Sequence, residues 1–172
     1  MPLPTSAETF RLLRGRGDGV GRPAGPFVGG QEYNRPTMAT TRRTPLGTSR
    51  RAQLGVVDYT LQKRSLLRDA RAGLLALTDL CDAHPELVRA ARHVGEPTRH
   101  DCPICGKDKL VLLAYVYGDG LKTENGRVWS LSTGMKMAAA NPGACCYVVE
   151  VCRVCNWNHL SEAFTARTTA AM

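Results

Sequence analysis

The sequence predicts an α+β protein, with a helical N-terminal part followed by a small three-stranded antiparallel sheet built on paired cysteines. Three observations predict it. Apolar residues recur at helical spacing from Val57 to Ala91, two β-forming runs follow in "KLVLLAYVYGDG" and "CCYVVEVC", and each run adjoins a Cys-x-x-Cys pair.

Residues 1–55 read as a disordered basic tail. Residues 1–37 hold seven Gly and five Pro with no helical or strand periodicity, a composition that buries too little apolar surface to offset chain entropy. Met38 opens a second start in "MATTRRTPLGTSRRAQ", so residues 1–37 stand either as an upstream mis-start or as a real flexible extension. Arg42, Arg43, Arg50 and Arg51 have no acid among them. They are candidate contacts to nucleic-acid phosphates, weighed against the plainer reading of a solvated tail.

Residues 56–97 form the expected helical region. In "VVDYTLQKRSLLRDARAGLLAL", Val57, Leu61, Leu67, Ala70 and Leu74 follow helical spacing, and Gly73 interrupts or ends that helix. Thr78 can cap a short second helix and Pro85 suits the first turn of a third, whose apolar face is Leu87, Val88 and Ala91 and which Gly95 and Pro97 stop. Helix, turn and helix resemble a DNA-reading pair. The last helix, however, offers only Arg89, Arg92 and His93, so packing without DNA is the preferred reading.

Residues 98–167 form the expected four-cysteine domain. "KLVLLAYVYGDG" is a strand ending in a turn, "CCYVVEVC" a second strand and "NWNHLSEAFTA" a third, with "WSLSTGMKMAAA" a weak helix between the first two. Cys102-x-x-Cys105 and Cys152-x-x-Cys155 are separated by 46 residues. Each such turn aims two sulfurs at one centre while backbone N–H groups donate to them. The residue after the second cysteine often needs a positive φ, which Gly106 adopts without steric cost and Asn156 tolerates.

Four thiolates in tetrahedral array suit a structural Zn2+ with no position left for water or substrate, as in a zinc ribbon. The separation exceeds the usual 15–20 residues, so it requires an insertion between the strands. Rubredoxin-like iron would use the same turns and stands as the alternative; a redox dithiol would more often be a single pair opening a helix after a strand. His159 and His100 lie near the pairs and are candidate alternative ligands or hydrogen-bond donors to sulfur, against the plainer reading of ordinary surface or supporting histidines. Trp157 reads either as a lid over the metal or as an exposed interface contact. Cys81, Cys145 and Cys146 read as packed small apolar residues.

The net charge of +8 suggests a nucleic-acid partner, but residues 101–172 carry seven basic against six acidic residues, so the excess lies upstream of the cysteines. No run is long enough to span a bilayer, and Arg14, Gly15 and Arg16 break the only N-terminal apolar stretch. The expectation is a cytoplasmic protein with reduced thiols and no membrane. No Ser/His/Asp signature, phosphate loop or carboxylate pair indicates catalysis, so no enzyme activity and no small-molecule substrate are expected.

The segments "VDYTLQKRSLL", "DLCDAHPELVRAARHVGEPT", "CPIC", "YVYGD" and "VVEVCRVCNWNHL" resemble, in order, an actinobacterial family of unknown function. The similarity covers Val57 to Phe164. It implies a cytosolic protein with matched cysteines at Cys102, Cys105, Cys152 and Cys155, and no known activity. The resulting expectation is a non-enzymatic zinc-binding module attached to a protein or nucleoprotein partner such as transcription or translation machinery, by analogy of fold. Direct DNA or RNA binding is the alternative, and iron-based electron transfer a further one.

Overall fold

The computed structural model describes residues 53–167. The predicted tail up to residue 52, with Arg42, Arg43, Arg50 and Arg51, lies outside the described residues. Among those described, the elements are β1 (Gln53–Asp58), α1 (Thr60–Arg71), α2 (Leu77–Leu80), α3 (Pro85–His93), β2 (Glu96–Asp101), β3 (Lys109–Tyr117), a 3-10 turn (Asp119–Glu124), β4 (Val128–Ser130), α4 (Leu131–Ala140), β5 (Cys145–Val151) and β6 (Asn158–Ala166). No helix among them is long and apolar enough to cross a membrane.

The three strands expected from sequence are β3, β5 and β6, but the sheet has six. Its order is β1-β6-β5-β3-β2, with β4 also pairing β3, and every pairing is antiparallel. The α+β class holds, whereas the sheet extends well beyond the cysteine region. β1 takes the segment at which the first helix was expected to begin. Its Val57 pairs with Ala163 of β6, a partner more than 100 residues away that local periodicity cannot reveal.

The helices start and stop for legible reasons. Asp58 Oδ1 accepts from the Thr60 N–H at 2.7 Å at the entry to α1. Gly73 ends that helix rather than interrupting it: at φ +72 its N–H reaches Ala70 O at 3.1 Å while Leu74 N–H reaches Asp69 O at 2.9 Å, the paired bonds of a Schellman motif. Thr78 does not cap α2, whose N-cap is Ala76. Pro85 does open α3, and His84 caps it by accepting from Glu86 N–H.

Alternation along β3 gives the sheet two apolar faces. Val111 and Leu113 meet Leu87, Val88 and Ala91 of α3 on one face, as the spacing of that helix predicts. Leu112, Ala114 and Val116 meet Leu131, Met135 and Ala138 of α4 on the other. A third core at the cysteine end joins Leu80, Leu110, Cys102, Cys152 and Trp157 with half-buried Leu66, Leu67 and Ala70 of α1.

Candidate metal centre

Two turns carry the site. The first, Cys102 to Asp108, connects β2 to β3; the second, Cys152 to Trp157, connects β5 to β6. Since β3 and β5 are paired neighbours with Val111 opposite Val151, the two turns emerge side by side from the same sheet end. Each is closed by the same bond: Gly106 N–H donates to Cys102 O at 3.0 Å, and Asn156 N–H to Cys152 O at 3.1 Å. Gly106 has φ +62 and Asn156 φ +64, the left-handed backbone the sequence predicts for both positions.

The four sulfurs converge. Cys102 Sγ and Cys155 Sγ are 3.5 Å apart, Cys105 Sγ and Cys152 Sγ 3.7 Å apart, and all four lie within 4.8 Å of one another. A tetrahedral ion with bonds of about 2.3 Å needs sulfurs about 3.8 Å apart, so the donor set fits such an ion. Backbone N–H groups of Ile104 and Cys105 reach the Cys102 sulfur, and those of Lys107 and Trp157 reach Cys105 and Cys155. Without an ion, Cys102 and Cys105 resist ionisation. Cys102 is raised well above the ordinary range by its bond with Cys155 and by burial, and Cys105 is raised chiefly by burial. A bound cation reverses that preference and holds the sulfurs as thiolates.

The surroundings lock the two turns together. Arg153, beside Cys152, grips Asp108 through two bonds of 2.9 and 2.8 Å. That pair holds the Asp108 carboxyl below its usual range. Ala83 N–H donates to Asn156 O at 3.0 Å and Asn158 Nδ2 to Asp82 Oδ1 at 3.0 Å, tying the α2–α3 connection to the second turn. Cys81 also lies here, half-buried against the core cluster that holds Cys102, Cys152 and Trp157. It is packed as the sequence predicts, and the fold sets it next to the sulfur group. Cys146 is packed as expected, fully buried under α4, and Cys145 is half-buried near Thr165.

Trp157 is fully buried, which corrects the reading as an exposed interface residue: it packs on Cys102, Cys152, Leu80 and Leu110. Its Nε1 donates to Glu150 at 3.2 Å and its ring lies flat against His159 at 5.9 Å. His159 is 1% exposed, and neither ring nitrogen has a partner. Burial lowers it to about 4. Neither His159 nor His100 joins the sulfur group; His100 sits exposed on β2. Asp108, Arg153 and Glu150 carry no motif in the sequence. Only the placement of Arg153 immediately after Cys152 and Asp108 three residues after Cys105 could have suggested the bridge between turns.

Fold and site together define an α+β protein whose six-stranded sheet carries a four-cysteine candidate metal centre at one end. Within that class the chain belongs to DUF5318, a family of unknown function that matches residues 50–172. It is similar to two mycobacterial proteins, the uncharacterized protein Rv0049 of Mycobacterium tuberculosis (strain ATCC 25618 / H37Rv) and the uncharacterized protein Mb0050 of Mycobacterium bovis. It is 40% identical to each over 108 residues, which is 63% of this chain and 79% of the relative. The expected actinobacterial family of unknown function is thus the one found. No solved structure matches the chain.

Proposed function

We propose that the protein is a non-enzymatic, cytoplasmic module in which Cys102, Cys105, Cys152 and Cys155 hold one structural Zn2+ in a ribbon-like pair of turns. The metal end would dock on a protein or nucleoprotein partner of the transcription or translation machinery. The observation that carries the zinc reading is the closed donor set. Four sulfurs, two pairs of them 3.5 and 3.7 Å apart and all within 4.8 Å of one another, with a positive-φ residue in each turn, would fill a tetrahedral shell and leave no coordination position for water or substrate. Docking by protein contact is supported by apolar surface around the centre. Val154 at the tip of the second turn is 54% exposed and Leu74 75% exposed. Pro103 and Ile104 of the first turn form a small apolar hollow with Leu67, Ala70 and Leu77.

Metal analysis of natively purified protein tests the first part, with one zinc per chain expected. A red, iron-loaded protein would replace this reading by electron transfer, and metal-free protein with unchanged folding would end both. Native pull-down at low and high salt, with nuclease treatment, tests the second part. Protein partners that survive nuclease and salt are expected. Loss of all partners on nuclease treatment would favour direct nucleic-acid binding instead.

A further inference from the structure

The face of the sheet that carries α4 also carries α1, nearer the cysteine end. Leu110 packs under α1 and α2 while its neighbour on the same face, Leu112, packs under α4. A cleft of about 500 Å³ opens along β2 beside Leu110 and Leu112, lined among others by Glu96, Arg99, His100, Leu131 and Glu150. β2 helps to open it, since its register with β3 is broken between Pro97 and Asp101. A volume of this size suits a small organic ligand.

The register arranges its chemistry. Glu96 lies opposite Leu112, Leu112 opposite Glu150, and Glu150 opposite His159. Directly opposed residues share a face, so these four form one row across four strands, with two carboxylates on either side of a leucine. Strands are about 4.8 Å apart, which puts the two glutamate backbones about 10 Å apart and lets both side chains reach a group resting on Leu112.

Glu150 is 7% exposed. A buried carboxylate is costly unless paired, and an apolar residue would serve packing as well or better. It is held by Lys63 of α1 and by the Trp157 N–H, both on Oε1, and it lines the cleft. Glu96 is fixed on the opposite side by the Ser132 N–H at 2.7 Å. Beyond Glu150 the row ends in His159, fully buried with both nitrogens unpartnered. Depth orders the charges: the buried and half-buried groups are the acids Glu150 and Glu96, and the exposed rim carries Arg99 and His100.

We propose that this cleft binds a small dipolar molecule of the amino-acid type. Its ammonium group would sit between Glu96 and Glu150, its carboxylate against Arg99 and His100, and its apolar part on Leu112 and Leu131. Lys63 already bonds Oε1 of Glu150, so the ligand's ammonium would share that carboxylate with it and rest chiefly on Glu96. The site is independent of which metal the cysteines hold.

The test titrates L-phenylalanine, phenethylamine and 3-phenylpropionate, which share one apolar body and differ in charge, into the full-length protein as purified, followed by amide chemical shifts. L-Phenylalanine is expected to bind saturably, with shifts centred on Leu110, Leu112 and Glu150, and more tightly than either singly charged probe. Glu96→Gln and Arg99→Gln sit at accessible positions and preserve hydrogen-bonding side chains. Each is expected to weaken binding about tenfold, the loss of one charge-assisted contact. Absence of saturable shifts with L-phenylalanine, equal or tighter binding of the amine or the acid alone, or affinity unchanged in both variants would overturn the proposal.

Discussion

Two residues, Gly106 and Asn156, decide whether each cysteine turn can close, because each must hold a positive φ. A Cβ at Gly106 would meet nothing within 4 Å, so Gly106→Ala reports backbone strain alone and should cost about 1 kcal/mol in urea unfolding of the metal-loaded protein. Asn156→Gly should be neutral or slightly stabilising and Asn156→Ala destabilising; the reverse order would contradict the turn geometry. His159 makes a separate prediction. Burial lowers its pKa from 6.5 to about 4, so between those values the unfolded chain binds a proton that the native protein refuses. Stability then rises with pH, is fully present above about 6.5, and falls as pH drops toward 4. From pH 7 to pH 5 the loss from this group should be about 2 kcal/mol. His159→Phe, which keeps a ring against Trp157, should flatten that slope in denaturation curves measured at both pH values.

At the scale of elements, α4 lies so close to β3 that sequence propensity gives the wrong sign. A Cβ at Gly134 would stand 2.4 Å from the Ala114 Cβ. In an isolated helix, Gly→Ala would stabilise by about 1 kcal/mol; here overpacking of about 1–3 kcal/mol opposes it. Gly134→Ala should therefore lower the urea midpoint, and adding Ala114→Gly should restore much of the loss. The same distinction between local and distant causes separates what the sequence reveals from what it hides. β3, β5, β6, α3 and the two cysteine turns are legible because their signals are local: β-rich runs, a proline at the first helical turn, a glycine or asparagine after a Cys-x-x-Cys. β2, "EPTRHD", is polar and contains a proline, and it is a strand only because β3 offers it an edge. β1 likewise depends on a partner far along the chain, and three-residue β4 on its pairing with β3. Glu150 is illegible for the same reason, since its meaning comes from Leu112, His159, Lys63 and Trp157, which only the fold assembles.

For the whole molecule, the position of the candidate metal centre determines how far the loss of a bound ion should spread. A zinc ribbon standing alone would unfold without its ion, because coordination supplies about 10 kcal/mol or more in such small domains. Here the cysteines belong to just one of three cores. The α3 and α4 cores are built from residues such as Leu87, Val149, Met135 and Val148, with no metal-centre cysteine among their buried members. Chelation should consequently open one end and leave the rest. The fraying end is the two turns with α1 and α2, whose apolar residues lean on Cys102, Cys152 and Trp157. Hydrogen exchange after metal removal should show Gly106, Asn156 and Cys81 losing protection, while Leu113, Val148 and Val149 at the centre of the sheet keep theirs. Trp157 gives an optical readout of the same event. Its emission should move to longer wavelength as its buried ring meets water, and Trp157→Phe should abolish that shift while leaving the signal of Trp129. Uniform loss of protection across the sheet would mean that the metal holds the whole fold. Unchanged protection at the turns would mean that the cysteines hold no metal that matters to stability.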